Sequence, residues 1–141
     1  MSYLESITMG NRDRANLVAD TLEEFNLMAD KPIVKQSGYR AVNIYDMPDW
    51  VDELGPAITF NPNTKLLGLA LDLPFGCIIF LNKHLNSARL PQVTLHEYVH
   101  CFGYKHIDNT EDLMNADYEE TVGLDNIKSW ANKLERTMYG W

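Results

Sequence analysis

Apolar residues recur at steps of three and four near both ends of the chain, which is the spacing of an amphipathic helix. Near the N-terminus this pattern covers residues 12–29 and stops before Pro32, which cannot continue a helix. Near the C-terminus it covers residues 124–138. The apolar stripe there consists of Ile127, Trp130, Ala131 and Leu134. We therefore predict one helix near each end, each packed through one apolar face.

Between these helices, short apolar runs bounded by proline, glycine and asparagine predict strands. The runs cover residues 39–44, 57–60, 65–73 and 76–81. A further helix is predicted over residues 90–102, because Pro91 is tolerated in the first turn of a helix. The order helix, strands, helix, loop, helix predicts an α+β fold. In this fold a twisted mixed sheet is covered by the N-terminal helix and the helix over residues 90–102.

Size and charge restrict the classes of function. The 141 residues are enough for one hydrophobic core, so we expect a single domain over residues 1–141. A formal net charge of -8 argues against nucleic acid as a partner, because that affinity comes largely from Lys and Arg contacts with phosphate. No apolar run approaches the length of a membrane span, so no membrane partner is expected.

Neither the first residues nor the cysteines indicate secretion. The segment MSYLESITMGNRDR lacks a basic start followed by an apolar stretch, so a cytoplasmic location is expected. Cys77 and Cys101 are the only two cysteines, too few for a disulfide framework. A cytosolic setting would keep both reduced, so we expect two buried free thiols.

The run HEYVHCFGYKH over residues 96–106 contains three of the four histidines and is the strongest functional signal. His96 and His100 are four residues apart, so on the predicted helix they share one face and can bind one ion. Gly103 favours a helix end with positive φ, after which His106 can approach from outside the helix. Three histidines with one position left for water are typical of a catalytic zinc site. The alternative, that these are hydrogen-bonded core histidines, stays open.

Glu97, directly after the first histidine, is the candidate catalytic residue. A carboxylate beside a zinc site can take a proton from the attacking water as a general base and then pass it to the leaving amine. A purely structural zinc site would fill its fourth position with a protein ligand. An acidic residue beside an open position therefore favours hydrolysis.

These residues resemble the HExxHxxGxxH signature of the metzincin zinc metallopeptidases, and all five specified positions match. Met114 is similar to the Met-turn of the matrixin-like branch, and residues 124–140 resemble its closing helix. The resemblance implies a zincin-like fold and an endopeptidase with one catalytic zinc ion and Glu97 as general base. The zinc ligands would be His96, His100 and His106.

The same resemblance implies supporting and substrate-binding residues. Gly103 would turn the chain toward the third ligand, and Met114 would form a hydrophobic floor beneath the metal ligands. In this family a peptide or protein substrate pairs with the edge strand of the sheet, through main-chain hydrogen bonds. Here the substrate-binding residues would be Gly68, Leu69 and Ala70, although a wholly structural strand stays an alternative.

The chain departs from the secreted matrixins at several positions. Ile107 stands where they usually carry serine, and Asn115 and Ala116 follow Met114 in place of tyrosine and proline. The wall of the specificity pocket therefore cannot be predicted. His84 is the only histidine outside the motif, so a second, structural zinc ion is not expected.

Two other functions stay open at this point. The motif is also similar to the HGxLHLxGYDH run of a small cytosolic zinc-dependent endoribonuclease family, which has glycine where this chain has Glu97. Glu97 and the acidic net charge favour peptide over RNA as the substrate. A non-catalytic zinc-binding protein on the same scaffold is the third possibility, because a fold does not determine a function.

Overall fold

The computed structural model of the protein describes residues 5–30, 41–54, 66–74, 76–116 and 121–139 and has an α+β architecture. In chain order its elements are β1 (Glu5–Thr8), α1 (Arg12–Leu27), β2 (Ala41–Asp46), α2 (Asp49–Glu53), β3 (Gly68–Leu73), β4 (Gly76–Leu81), α3 (Leu90–His100) and α4 (Leu124–Tyr139). Within these ranges, no helix has the length and apolar character needed to cross a membrane.

The predicted α+β class and three predicted helices are confirmed, with small shifts at the helix ends. α1 begins after Asn11, whose side-chain oxygen accepts a hydrogen bond from the backbone N–H of Arg14, as expected of a helix N-cap. The helix α3 carries Pro91 in its first turn, as predicted, and ends at His100, two residues before the predicted end. The predicted strand over residues 57–60 lies outside the described residues. The sequence patterns did not predict β1 or α2.

The described strands form one mixed sheet in the order β1, β2, β4, β3. β1, β2 and β4 run parallel, with Ile7 opposite Ile44 and Ile44 opposite Ile79. β3 runs antiparallel to β4, with Ala70 opposite Ile79, and it forms one edge of the described sheet. The mixed sheet is therefore confirmed, with an antiparallel strand at its edge.

The core lies between one face of the sheet and the helices. Alternate residues of β2 and β4 are buried, as expected when one face of a strand packs against helices. From α1, the core receives Val18, Leu22 and Phe25, and the ring of Phe25 meets the ring of Tyr98 of α3 edge-on at 5.9 Å. Every residue of α3 from Val93 to Val99 is buried. The helix that carries the motif is therefore enclosed and rigidly placed.

The two cysteines correct one sequence-based expectation. We predicted buried free thiols, but Cys77 of β4 and Cys101, the residue after α3, form a disulfide with a Cα–Cα distance of 5.6 Å. Both residues are buried, as predicted. Their separation of 24 positions hid the pairing, because only the packing of α3 on the sheet brings them together. The disulfide ties the C-terminal end of α3 to a core strand.

Candidate metal centre

The helix α3 and the turn that follows it bring three histidines together. His96 and His100 lie one helical turn apart on α3, as their spacing predicted. The helix ends with the backbone N–H of Gly103 donating to the carbonyl of His100, and Gly103 itself has a φ of +89°. This left-handed residue redirects the chain, and His106 returns to the helix. One ring nitrogen from each histidine lies within 4.8 Å of the other two.

Backbone carbonyls orient the two helical imidazoles. His96 donates from Nδ1 to the carbonyl of Leu113 at 2.7 Å, and His100 donates from Nδ1 to the carbonyl of Tyr104 at 2.7 Å. A carbonyl can only accept, so each Nδ1 carries the proton. In the neutral rings each Nε2 therefore presents a lone pair, as a metal-binding histidine does.

The three Nε2 atoms converge at a spacing that fits one metal ion. The Nε2 of His100 lies 3.2 Å from the Nε2 of His96 and 3.2 Å from the Nε2 of His106. In a tetrahedral site with bonds of about 2.0–2.1 Å to zinc, ligand nitrogens are about 3.3 Å apart. The lone pairs of His96 and His100 cannot form a hydrogen bond with each other, so a cation between them would satisfy both. The donor set therefore fits a metal ion bound by three imidazoles.

Burial keeps the helical histidines neutral at physiological pH. Desolvation lowers the pKa of His96 to about 4, against the opposing effect of the Leu113 carbonyl. Desolvation also lowers the pKa of His100, with the Tyr104 carbonyl again opposing it. His106 is exposed and forms the open side of the cluster. Neutral imidazoles are the form that binds a metal, so two of the three histidines would release no proton on binding one above pH 7.

Glu97 lies on the buried side of α3, against the edge strand. Its side chain is only 3% exposed. It packs on Gly68 of β3 so closely that a Cβ added at Gly68 would lie 2.8 Å from its Cγ and 2.9 Å from its Oε2. Such distances are shorter than real contacts allow, so the carboxyl group occupies its position only because Gly68 has no side chain.

The three predicted substrate-binding residues lie at the start of β3, on the antiparallel edge strand. Leu69 and Ala70 are half-buried, and Gly68 is buried beneath Glu97. The sequence pointed to Gly68 through the family resemblance. Its contact with the candidate general base depends on how α3 crosses β3, which no sequence pattern indicated.

Met114 lies in the loop between His106 and α4. Its side chain is completely buried. Its carbonyl accepts a hydrogen bond of 2.9 Å from the backbone N–H of Ile107, and the side chain of Asn115 donates to the carbonyl of Ile107 at 3.0 Å. The preceding residue, Leu113, supplies the carbonyl that orients His96. The Met114 loop therefore supports both His96 and the segment after His106.

The remaining candidates lie outside the cluster. Among the described residues, the histidine cluster does not include His84, which is exposed. Cys101 is bound in the disulfide, so its sulfur is not a free thiol beside the cluster. No protein-family model matches the sequence, and no curated protein is significantly similar to it. What the structure establishes is a three-histidine cluster able to hold a metal ion, on an α+β fold with a mixed sheet.

Proposed function

We propose that the protein is a zinc-dependent endopeptidase. The observation that carries this proposal is that three imidazole nitrogens converge in space. The buried carboxyl group of Glu97 belongs to the residue that directly follows the first of these histidines in the sequence. His96, His100 and His106 would hold the ion and leave one of its four positions open. Zinc bound there would polarise a peptide carbonyl and make water more acidic.

Glu97 would perform the proton transfers. Its carboxylate would accept a proton from the water that attacks the peptide carbon, and would deliver that proton to the nitrogen of the leaving amine. A group that stays in place through both transfers needs a rigid support. The buried position of Glu97 on α3, with Gly68 behind it, supports this role.

The edge strand supports a peptide as substrate. β3 lies at the edge of the described sheet, and Gly68 in this strand contacts Glu97. A peptide that pairs with the outer side of β3 would therefore run past the carboxylate of Glu97. Main-chain pairing of this kind demands little of the peptide's sequence, so specificity would come from side-chain pockets along the strand.

The disulfide changes the proposed cellular setting. We predicted a cytoplasmic location, but disulfides are typical of oxidising compartments such as the periplasm or the extracellular space. The proposed peptidase is therefore best assayed under oxidising conditions. A reducing buffer would remove the link between β4 and the end of α3.

The test of this proposal is the Glu97→Gln variant, loaded with zinc and compared with the unaltered protein on an unstructured protein substrate. Glutamine keeps the shape of the side chain but cannot take a proton, so we expect unchanged zinc content and a loss of kcat/KM of at least about 100-fold. Metal analysis after dialysis gives the zinc content. Undiminished peptide cleavage would exclude the role of Glu97.

Single-stranded RNA, assayed in parallel with and without a chelator, separates the peptidase from the nuclease interpretation. The acidic net charge of -8 predicts no RNA cleavage. Chelator-sensitive cleavage of RNA without cleavage of protein would reverse the assignment. Zinc binding with neither activity would instead favour a non-catalytic zinc protein.

A further inference from the structure

The carboxylate of Asp112 lies at the centre of a hydrogen-bond network behind the histidine cluster. Its Oδ1 accepts from the backbone N–H of Met114 at 2.8 Å and from the indole N–H of Trp130 at 3.0 Å. Its Oδ2 accepts from the side-chain amide of Asn126 at 3.0 Å. Asp112 thus joins the Met114 loop to two residues of α4.

This network holds the peptide group that orients His96. The side-chain oxygen of Asn126 accepts a hydrogen bond of 2.8 Å from the backbone N–H of Leu113. The carbonyl of the same residue, Leu113, accepts from Nδ1 of His96 at 2.7 Å. A continuous path of hydrogen bonds therefore runs from Asp112 through Asn126 and Leu113 to the first metal-binding imidazole.

The second imidazole is supported from the same helix. Trp130, which donates to Asp112, is 3% exposed, and its ring meets the ring of Tyr104 edge-on at 5.1 Å. The carbonyl of Tyr104 accepts from Nδ1 of His100 at 2.7 Å. The ammonium group of Lys133 lies over the indole, 4.2 Å from its centre. Trp130 therefore links Asp112 to the second helical histidine.

We propose that Asp112 is a positioning residue of the metal centre, which sets the orientation of His96 and His100 through Leu113 and Tyr104. This role rests on the zinc site of the proposed function but not on peptidase activity. Outer partners of this kind govern how strongly histidines bind a metal. The Asp112 carboxylate acts on the two imidazoles indirectly, through the backbone carbonyls of Leu113 and Tyr104.

The arrangement requires a side chain at residue 112 in which both terminal atoms are hydrogen-bond acceptors. Three N–H donors point at the carboxylate, so an amide in its place would turn its own N–H₂ group toward one of them. Asp112→Asn should therefore break the network while changing almost nothing in volume. The neighbouring Glu111, which is exposed, offers a matched control: Glu111→Gln removes the same charge from the same loop.

The chain also offers a rescue variant. In Asp112→Asn combined with Asn126→Asp, the introduced amide can donate to the introduced carboxylate, and its oxygen can still accept from Met114 and Trp130. The carboxylate at residue 126 can still accept from Leu113. The double variant keeps every hydrogen bond of the network and the net charge, with the two groups exchanged.

The experiment measures the affinity of the full chain for zinc and for cobalt, by competition with a chromophoric chelator at pH 7. The visible spectrum of the cobalt form reports the geometry of the ligands, and urea denaturation of the metal-free protein reports stability. We expect Asp112→Asn to weaken zinc binding about 10- to 100-fold and to alter the cobalt spectrum. Glu111→Gln should leave both unchanged, and the double variant should return to within about threefold of the starting affinity.

Several outcomes would overturn the proposal. If Asp112→Asn lowers the stability of the metal-free protein but leaves zinc affinity and the cobalt spectrum unchanged, Asp112 only stabilises the loop. If Asp112→Asn does not fold, the double variant and Trp130→Phe, which removes one donor but keeps an aromatic ring, carry the test. Unchanged zinc affinity in Trp130→Phe, with no rescue in the double variant, would exclude the role. An unaltered protein that binds zinc but cleaves no peptide would contradict the proposed peptidase and leave this role standing.

Discussion

At the scale of single residues, Gly68 sets the position of Glu97. An added methyl group would meet Cγ and Oε2 of Glu97 and, at 3.0 Å, a methyl of Val93. We therefore expect Gly68→Ala to push the carboxylate out of its position and to lower kcat/KM at least about tenfold. None of these three nearest atoms belongs to a histidine, so the zinc affinity should stay the same. Peptide cleavage and chelator competition on the same preparation provide the two measurements.

Gly123→Ala is the matched control for this experiment. It makes the same chemical change where no atom lies within 4 Å of the new methyl group. It should leave cleavage and zinc affinity unchanged. Equal activity of Gly68→Ala and the unaltered protein would show that the contact with Glu97 is not needed for catalysis.

His96 makes the stability of the metal-free protein depend on pH. Its pKa is about 4 in the folded protein, below the ordinary histidine value of 6.5, so between these two pH values the unfolded chain binds the proton more readily. The contribution of neutral His96 to the free energy of unfolding is therefore fully present above pH 6.5. It is lost as the pH falls toward 4. The loss is on the order of 3 kcal/mol at pH 4. Urea denaturation at pH 7 and pH 4.5 measures most of this loss.

The variant His96→Asn isolates this effect, because asparagine does not titrate. Its unfolding free energy should fall less between pH 7 and pH 4.5 than that of the unaltered protein. The same fall in both proteins would mean that other groups cause the acid sensitivity.

Residue chemistry in a local motif could be predicted, whereas contacts across the fold could not. The spacing of His96, His100 and His106 and the glycine between them were enough to predict the cluster, because a helix and one turn determine their geometry. The role of Asp112 depends on α4, because Asn126 and Trp130 of that helix donate hydrogen bonds to its carboxylate. Nothing in the local sequence distinguishes Asp112 from the other acidic residues of that loop.

At the scale of elements, the end of α3 depends on Gly103. Its φ of +89° is unfavourable for a residue with a Cβ, and an added methyl group would meet no atom within 4 Å. The cost of Gly103→Ala is therefore conformational alone, and we expect a loss of about 1–2 kcal/mol in the free energy of unfolding. Urea denaturation of the metal-free protein measures this loss.

Zinc binding should weaken in Gly103→Ala as well, because the turn at Gly103 carries His106 back to the helix. Gly103→Asn is the informative comparison, since asparagine tolerates the left-handed region better than alanine. It should lie between glycine and alanine in stability. If alanine is as stable as glycine, the turn does not depend on a left-handed residue.

The three long helices and the six-residue strands β2, β3 and β4 were predicted, whereas the two shortest elements, β1 and α2, were not. The spacing of apolar residues indicated α1 and α4, which are 16 residues long each. β1 has four residues, and Ile7 is the only apolar residue among them. The strand is held in place by its pairing with β2. Such pairing joins distant parts of the chain, so local propensity carries little information about it. For the same reason, the sequence did not predict that β4 lies between β2 and β3 in the sheet.

At the scale of the whole molecule, the disulfide joins the sheet to the helix that carries the motif. Cys77 lies in β4, which is hydrogen-bonded on both sides, and Cys101 directly follows His100 of the histidine cluster. The prediction of free thiols was wrong because it inferred the redox state of the cysteines from an expected cellular location. The packing of α3 on the sheet instead places the two side chains at a distance suited to a disulfide. Stability and metal binding should therefore both respond to oxidation.

Replacement of both cysteines, Cys77→Ala with Cys101→Ala, tests this coupling. The disulfide closes a loop with a sequence separation of 24, which corresponds to a stabilisation of about 3 kcal/mol through the unfolded state. We expect a loss of that size in urea denaturation of the metal-free variant. We also expect weaker zinc binding, because the end of α3 next to His100 is no longer tied to β4.

The unaltered protein, reduced in urea and refolded with reductant present, should behave like the variant. The variant itself should not respond to reductant. If reduction changes neither the unfolding free energy nor the zinc affinity of the unaltered protein, the packing of α3 alone holds the metal centre together.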